Sequence, residues 1–102
     1  MNKIDLHKKL LDDMHELYVT KNHDYGDSVH ETYKRYGLVS FLVRIEDKIN
    51  RVRTLSQNND MCIQNEKLED TLLDMANYAV LAAIELQLDK EKLVSNTKEV
   101  QV

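Results

Sequence analysis

The sequence has no proline and only two glycines, Gly26 and Gly37, both in the first half of its 102 residues. Proline and glycine are the residues that most often interrupt a helix or form a tight turn. Because such residues occur at only two positions, most of the chain is free to be helical.

Cysteine and long apolar runs are also scarce. The single cysteine, Cys62, cannot form an internal disulfide and has no second cysteine at metal-ligand spacing, which fits a reducing compartment and an incidental role. The longest apolar run, residues 79–86, contains Glu85 and is too short to span a bilayer, and the N-terminus has no apolar signal region. We therefore expect a cytoplasmic protein, in the host cytoplasm if it is phage-encoded, without a membrane partner.

The overall composition is that of one globular domain covering residues 1–102, with 42% hydrophobic and 31% charged residues. The formal net charge is -4. General binders of the DNA or RNA backbone carry a clustered basic surface, so this charge argues against that class and leaves free nucleotides as possible ligands.

In the first half of the chain, apolar residues at intervals of three and four predict a helix from Ile4 to Tyr18. Residues 21–27 lack this periodicity and are rich in turn formers, so we predict an ordered loop there. Ser28 and Glu31 have capping-box spacing and predict the start of a short second helix. We expect that helix to end near Gly37.

The second half predicts two long helices, from about residue 38 to 55 and from about 65 or 66 to 88, joined by a polar loop at 56–65. The last helix has apolar residues on two sides, and residues 89–102 read as a polar tail that frays after one further turn. The ordered core would span about residues 4–88. The predicted fold is an all-α bundle of about four helices, three long and one short, completed by assembly into a dimer or tetramer.

Acidic side chains enter apolar helix faces at two places. Asp70, Asp74 and Asn77 share a side of the fourth helix with apolar residues. On the third helix, Glu46 and Asp47 border an apolar flank. If the two helices are neighbours, the four carboxylates would converge on Mg²⁺, which prefers oxygen ligands. Alternatively, Asp70 only complements its helix dipole, and the acids on the third helix only form ion pairs with Arg53, Lys48 or Arg51.

Arg44, Lys48 and Arg51 form a cationic strip on the opposite flank of the third helix. Such a strip suits phosphate oxygens. It would equally form surface ion pairs with acids of the first helix, namely Asp12, Asp13 and Glu16.

The segment KNHDYGDS at residues 21–28 concentrates polar and aromatic side chains between two helices. Lys21 would meet a phosphate, Tyr25 would stack on a base, and Asn22 or Asp24 would bind a base or sugar edge. The alternative is that the segment is a turn followed by a helix cap.

This segment, together with RIEDKINR at 44–51 and EDTLLDMANYAVL at 69–81, resembles the phage and bacterial nucleotide-modification-associated small domain family, whose hallmark is a KNxDYGD loop. The resemblance covers most of residues 4–88. More distantly, the layout resembles the MazG-like all-α nucleotide pyrophosphohydrolases. Those enzymes bind magnesium through acidic motifs on two helices and cleave nucleoside triphosphates to a monophosphate and pyrophosphate.

The MazG-like resemblance implies that Glu46 and Asp47 are the leading pair of the first acidic motif and that Asp74 closes the second. Asn50 stands where a third carboxylate is usual. Thr71 occupies the position of the other acid of the second motif, and Asp70 precedes it. Two expected carboxylates are therefore neutral or displaced, which weakens metal affinity and favours binding without efficient hydrolysis.

The function that we expect is magnesium-dependent nucleoside triphosphate pyrophosphohydrolysis, with Glu46 or Asp47 orienting the attacking water and Asn77 contacting the substrate. A second hypothesis is a non-enzymatic binder of nucleotides or cyclic nucleotides, such as a phage sponge that sequesters a host signal. A third is a homo-oligomeric interaction module, in which the acids are polar groups of an interface.

Overall fold

The protein is described here by a computed structural model. It describes the backbone of residues 1–25, 27–57 and 61–100, and the side chains of residues 1–23, 27–57 and 65–95. The predictions for the side chains of Asp24, Tyr25 and Cys62 lie outside the described residues.

Within the described residues the fold is all-α and contains no strand, which confirms the predicted class of three long helices and one short one. None of these helices is long and apolar enough to cross a membrane. The helices are α1 (Lys3–Tyr25), α2 (Ser28–Tyr36), α3 (Val39–Leu55) and α4 (Met61–Val100).

Both long terminal helices extend further than predicted. The predicted loop is wrong over residues 21–25, which form the end of α1. Helix α4 begins four residues before Asn65 and continues past Leu88 to Val100. The reason is the same in each case, because polar residues weaken a helix only slightly and these segments contain neither proline nor glycine.

The ends of α2 differ in how well the sequence predicts them. The predicted capping box is wrong because Asp27 is the N-cap and Ser28 is already the first helical residue, and no side chain makes a cap hydrogen bond. Glu31 is then the fourth helical residue instead of the third, which is one position too far along the helix for its side chain to accept the N–H of the N-cap residue. The predicted end is confirmed, since Gly37 has φ 73° and ψ −158° and donates its N–H to the carbonyl of Tyr33 at 2.7 Å.

The core lies between α3 and α4, which pack against each other as antiparallel neighbours. Among the described side chains, the buried apolar ones are Phe41, at 1% exposure, and Ala82. The ring of Phe41 also contacts the ring of Tyr33 of α2, with centroids 5.8 Å apart.

Three polar contacts fix the register of α3 against α4. As residue numbers rise along α3 they fall along α4, so each contact pairs residues whose numbers have the same sum. The contacts are Arg44 with Tyr78, Lys48 with Asp74, and Arg51 with Thr71.

Helix α1 packs more loosely. None of its described side chains is buried. Leu10, Met14 and Tyr18, which recur every four residues, are half-buried along the side that faces α4. Because α1 stands off from α4, an open cleft remains between them.

Candidate functional site

The cleft between α1 and α4 widens into a cavity of about 450 Å³ next to the start of α2. This volume lies within the range of about 300–1,000 Å³ that is typical of small-molecule sites. The lining consists of Tyr18, Lys21 and Asn22 of α1, Asp27, Ser28 and Val29 around the start of α2, Lys48 of α3, and Asp74, Asn77, Tyr78, Leu81, Ile84, Glu85 and Leu88 of α4.

Two lysines from different helices, Lys21 and Lys48, line this cavity. Lys48 Nζ lies 3.3 Å from Asp74 Oδ2, and both side chains remain partly exposed to solvent. An ion pair in such a position contributes little stability, about 0–1 kcal/mol. The ammonium group of Lys48 is therefore able to exchange Asp74 for another anion at low cost.

Amides and phenol rings supply the other recognition groups. The side chains of Asn22 and Asn77 line the cavity, and each amide both donates and accepts hydrogen bonds. Arg44 holds Tyr78 in place, because its Nη1 donates to the tyrosine hydroxyl at 3.4 Å and its guanidinium carbon lies 5.6 Å from the ring centroid. Tyr18 lies across the cleft on α1.

Glu85 is the most buried acidic side chain of the cavity lining, with 8% of its side chain exposed. Nδ1 of His30 lies 2.9 and 2.7 Å from the two carboxylate oxygens, so an ionised Glu85 accepts the Nδ1–H of His30. We did not predict either residue as part of a site. The available signal was that Glu85 is the one charged residue in the apolar run 79–86.

A second cavity of about 510 Å³ continues the cleft towards the N-terminal end of α4. It shares Tyr18, Lys21, Asp74 and Asn77 with the first cavity, and its further lining includes Asp70. Asp70 and Asp74 are one helical turn apart, and both line this groove. The two acids that the sequence places on the fourth helix are therefore brought to the same groove, on the side of α1.

The segment that builds this cleft is also the segment that matches a known family. Residues 21–86, more than half of the chain, match the family described as Nucleotide modification associated domain 1. The chain belongs to this family. A comparison with curated proteins and a comparison with solved structures each found no match.

The match to Nucleotide modification associated domain 1 starts at Lys21 and ends just after Glu85, so it contains most of the cleft residues. Lys21 and Asn22, which open the KNHDYGD segment, lie on the last turns of α1 instead of on a loop. A helix fixes their direction relative to Asp74 and Asn77 more tightly than a loop would.

The acids of α3 lie elsewhere on the domain. Glu46 and Asp47 are both exposed, and neither lines the cleft. Asp47 borders a shallow groove between α2 and α3 that also contains Arg44. Glu46 lies on the side of α3 that faces away from α4, since it is almost half a helical rotation from Lys48.

The four carboxylates predicted to share a metal ion do not converge, because Glu46 and Asp47 lie outside the groove that contains Asp70 and Asp74. In the part of the chain that the structure describes, no three His, Cys, Asp or Glu side chains are placed to share a metal ion. Thr71 faces α3, where it is buried and accepts a hydrogen bond from Arg51 Nε at 3.3 Å. Asp70, one residue earlier, is rotated by about 100° and faces α1. Magnesium binding itself stays a prediction.

The cationic strip does not pair with Asp12 or Asp13 of the first helix. Asp12 and Asp13 pair within α1 with Lys8 and Lys9 at 2.7 and 2.8 Å, and these hydrogen bonds raise the pKa of both lysines. The strip instead contacts α4. Of its three members, Lys48 lines the cleft, whereas Arg44 and Arg51 hold Tyr78 and Thr71.

Proposed function

We propose that this chain binds a nucleotide in the cleft between α1 and α4, with Lys21 and Lys48 on the phosphate groups. The observation that carries the proposal is that one cavity is lined by both lysines and by Asn22, Asp74 and Asn77. All five lie within the segment that matches Nucleotide modification associated domain 1.

The exchangeable ion pair explains how a phosphate would be captured. In the free protein Asp74 keeps Lys48 directed towards the cleft. A phosphate carries more charge than one carboxylate and offers several acceptor oxygens, so it competes well for the ammonium group. Lys21, from the other wall, would bind the same phosphate chain and draw α1 towards α4.

The remaining lining suits the base and the sugar. Tyr18 and Tyr78 offer aromatic rings on opposite walls, and a base presents an apolar face to such rings. The amides of Asn22 and Asn77 would bind the polar edge of a base or the hydroxyls of a sugar. This combination of cations, rings and amides favours a nucleotide over a simple phosphate ion.

Asp70 and Asp74 are the residues that would hold a magnesium ion here. Mg²⁺ bound with a phosphate substrate commonly uses only one or two carboxylates and completes its coordination with water and phosphate oxygens. Two carboxylates one turn apart on a solvent-accessible groove fit this requirement. When bound, the ion supplies polarisation of the phosphate chain.

The reaction that follows from this arrangement is pyrophosphohydrolysis. Water attacks the α-phosphorus of a nucleoside triphosphate, the bond to the β-phosphate oxygen breaks, and the products are a monophosphate and pyrophosphate. Lys21 and Lys48 would stabilise the charge that develops on the leaving pyrophosphate. Glu46 and Asp47 lie outside the cleft, so we assign the orientation of water to the cleft carboxylates.

One observation favours a second function, binding without hydrolysis. Thr71 and Asn50 occupy the positions where the MazG-like resemblance expects carboxylates, and both are engaged by arginines. Thr71 accepts from Arg51, and Asn50 Oδ1 accepts from Arg53 at 3.2 Å. A protein with this reduced acidic set would retain a nucleotide or cyclic nucleotide intact.

The test is titration calorimetry with nucleoside triphosphates and cyclic dinucleotides, with and without magnesium, followed by an assay for pyrophosphate. Lys48→Ala should weaken nucleotide binding by about tenfold or more, because it removes a charge-assisted hydrogen bond worth about 1.5–3 kcal/mol. Lys8→Ala, which changes an exposed lysine on the outer part of α1, is the matched control and should leave affinity unchanged.

The outcomes separate the two functions. Release of pyrophosphate that is lost in Asp74→Asn and retained in Glu46→Gln would establish hydrolysis at the cleft. Tight binding with recovery of intact ligand would establish the binder. Equal affinity of the wild type and Lys48→Ala, or no binding of any nucleotide, would refute the proposal.

A further inference from the structure

The chain exposes much more surface than a compact monomer of its mass. Its accessible surface is 8340 Å², whereas a folded monomer of 12.0 kDa exposes about 6,000 Å². The radius of gyration is 17.4 Å, against about 13 Å for a compact domain of this length. The excess of roughly 2,300 Å² reflects the length of α4, the open cleft beside α1 and the apolar side chains that remain exposed.

Part of the exposed apolar area lies on one face made by α3 and α4, which we call the hairpin face. Its members are Leu38, which directly precedes α3, and Leu42 of α3, with Leu72, Ala79, Ala83 and Leu86 of α4, and all six are exposed. Leu42 and Leu72 keep 53% and 52% of their surface accessible.

The hairpin face is separate from the cleft. On α4 the direction of Ala79 lies well over 90° around the helix from that of Asp74 and Asn77. Because α3 and α4 are antiparallel, the flank of α3 that carries Leu42 is on the same side of the pair as Leu72. The flank that carries Arg44 is on the other side, with the cleft.

The spacing on α4 is that of a helix-packing seam. Apolar residues recur after four, three, four and three residues, with no charged residue in the series, which runs Leu72, Ala76, Ala79, Ala83 and Leu86. This stretch is about 21 Å long. Small residues at its centre allow another helix to approach closely, and the leucines at its ends provide the knobs that fill the neighbouring helix's holes.

We infer that a second copy of this chain covers the hairpin face, so that α3 and α4 of two chains form a four-helix bundle. A two-fold dimer uses the same patch on both subunits, and an uncharged apolar patch is complementary to itself. The chain has enough exposed surface to supply the roughly 800 Å² per subunit that a standard interface buries. An anionic membrane surface is a poor occupant for a chain of net charge -4.

Sedimentation equilibrium of the full chain tests this inference without any nucleotide. The wild type should sediment at twice the 12.0 kDa of the chain. Leu72→Glu should sediment as a monomer, because a charge within the seam would be buried unpaired. Val19→Glu is the matched control, since Val19 is equally exposed but lies on α1, and it should remain a dimer.

A monomeric wild type at high micromolar concentration, or a dimeric Leu72→Glu, would overturn the inference. Loss of the dimer in Val19→Glu would contradict the placement of the interface on the hairpin face. If Leu72→Glu fails to fold, the dimer is tested by thermal unfolding of the wild type at different protein concentrations. The midpoint of a dimer rises over a hundredfold increase in concentration, whereas an unchanged midpoint would rule the dimer out.

Discussion

Replacement of His30 by alanine tests the contact that connects α2 to α4. His30 Nδ1 lies 2.7 and 2.9 Å from the carboxylate oxygens of Glu85, and only 8% of the Glu85 side chain is exposed. The substitution removes this donor and leaves a largely buried carboxylate without it. The perturbation therefore acts through the solvation of Glu85 rather than through lost apolar contact.

The expected magnitude follows from the burial of the two partners. Breaking a fully buried pair costs about 3–5 kcal/mol, whereas a hydrogen bond to a charged group contributes about 1.5–3 kcal/mol. His30 is 27% exposed, so water would reach Glu85 once the ring is removed. We expect His30→Ala to lower the free energy of unfolding by about 2 kcal/mol, which corresponds to about 8–16 °C in Tm.

The assay is thermal and urea unfolding followed by far-ultraviolet circular dichroism, with every variant at the same protein concentration. The decisive control is the double variant His30→Ala with Glu85→Leu, which removes the buried charge as well as its donor. It should be more stable than His30→Ala alone, because no ionised group is then left without its donor. A single variant within about 0.5 kcal/mol of the wild type, or a double variant no more stable than the single one, would refute the reasoning.

Three further predictions concern the packing around α2 and α3. Phe41→Ala should destabilise the chain by about 3–5 kcal/mol in urea unfolding, because Phe41 is 1% exposed; a loss below 1 kcal/mol would contradict its place in the core. Gly37→Ala should cost about 1–3 kcal/mol, since φ 73° with ψ −158° is almost restricted to glycine, although a Cβ there would meet nothing within 4 Å; unchanged stability would contradict that backbone geometry. The hydrogen bond from the Tyr33 hydroxyl to Asp89 raises the pKa of the phenol, so its stabilisation is present below the ordinary tyrosine pKa and is lost as pH rises through the raised value. An ultraviolet titration of phenolate should therefore contain a late component that Asp89→Ala removes, and identical titration curves would contradict the contact.

Some features of the fold follow from the sequence because they depend on local periodicity. The apolar spacing of α3 and the scarcity of proline and glycine predict helices along most of the chain, and Gly37 marks the end of α2. The apolar residues on two sides of α4 are also visible in the sequence. One side lines the cleft, and the other forms the hairpin face.

Local patterns predicted helix ends less well. Polar residues at 21–25 read as a loop, yet they continue α1, because a helix that is already formed extends through polar residues at small cost. The capping spacing of Ser28 and Glu31 was misleading because the N-cap is Asp27, one residue earlier, although its side chain makes no cap hydrogen bond. In both cases the sequence allows two helix boundaries, and local propensities differ too little to select between them.

The candidate site depends on contacts between residues far apart in the chain. Periodicity determines the angle of a side chain around its own helix, and it correctly grouped Asp70, Asp74 and Asn77. It does not determine which helix lies opposite that group. The sequence alone therefore did not show that α1 lies opposite this group. The register of α3 against α4 turns Thr71 towards α3 and Asp70 towards α1, whereas Asp74 lies between them, because it lines the cleft and also contacts Lys48 of α3.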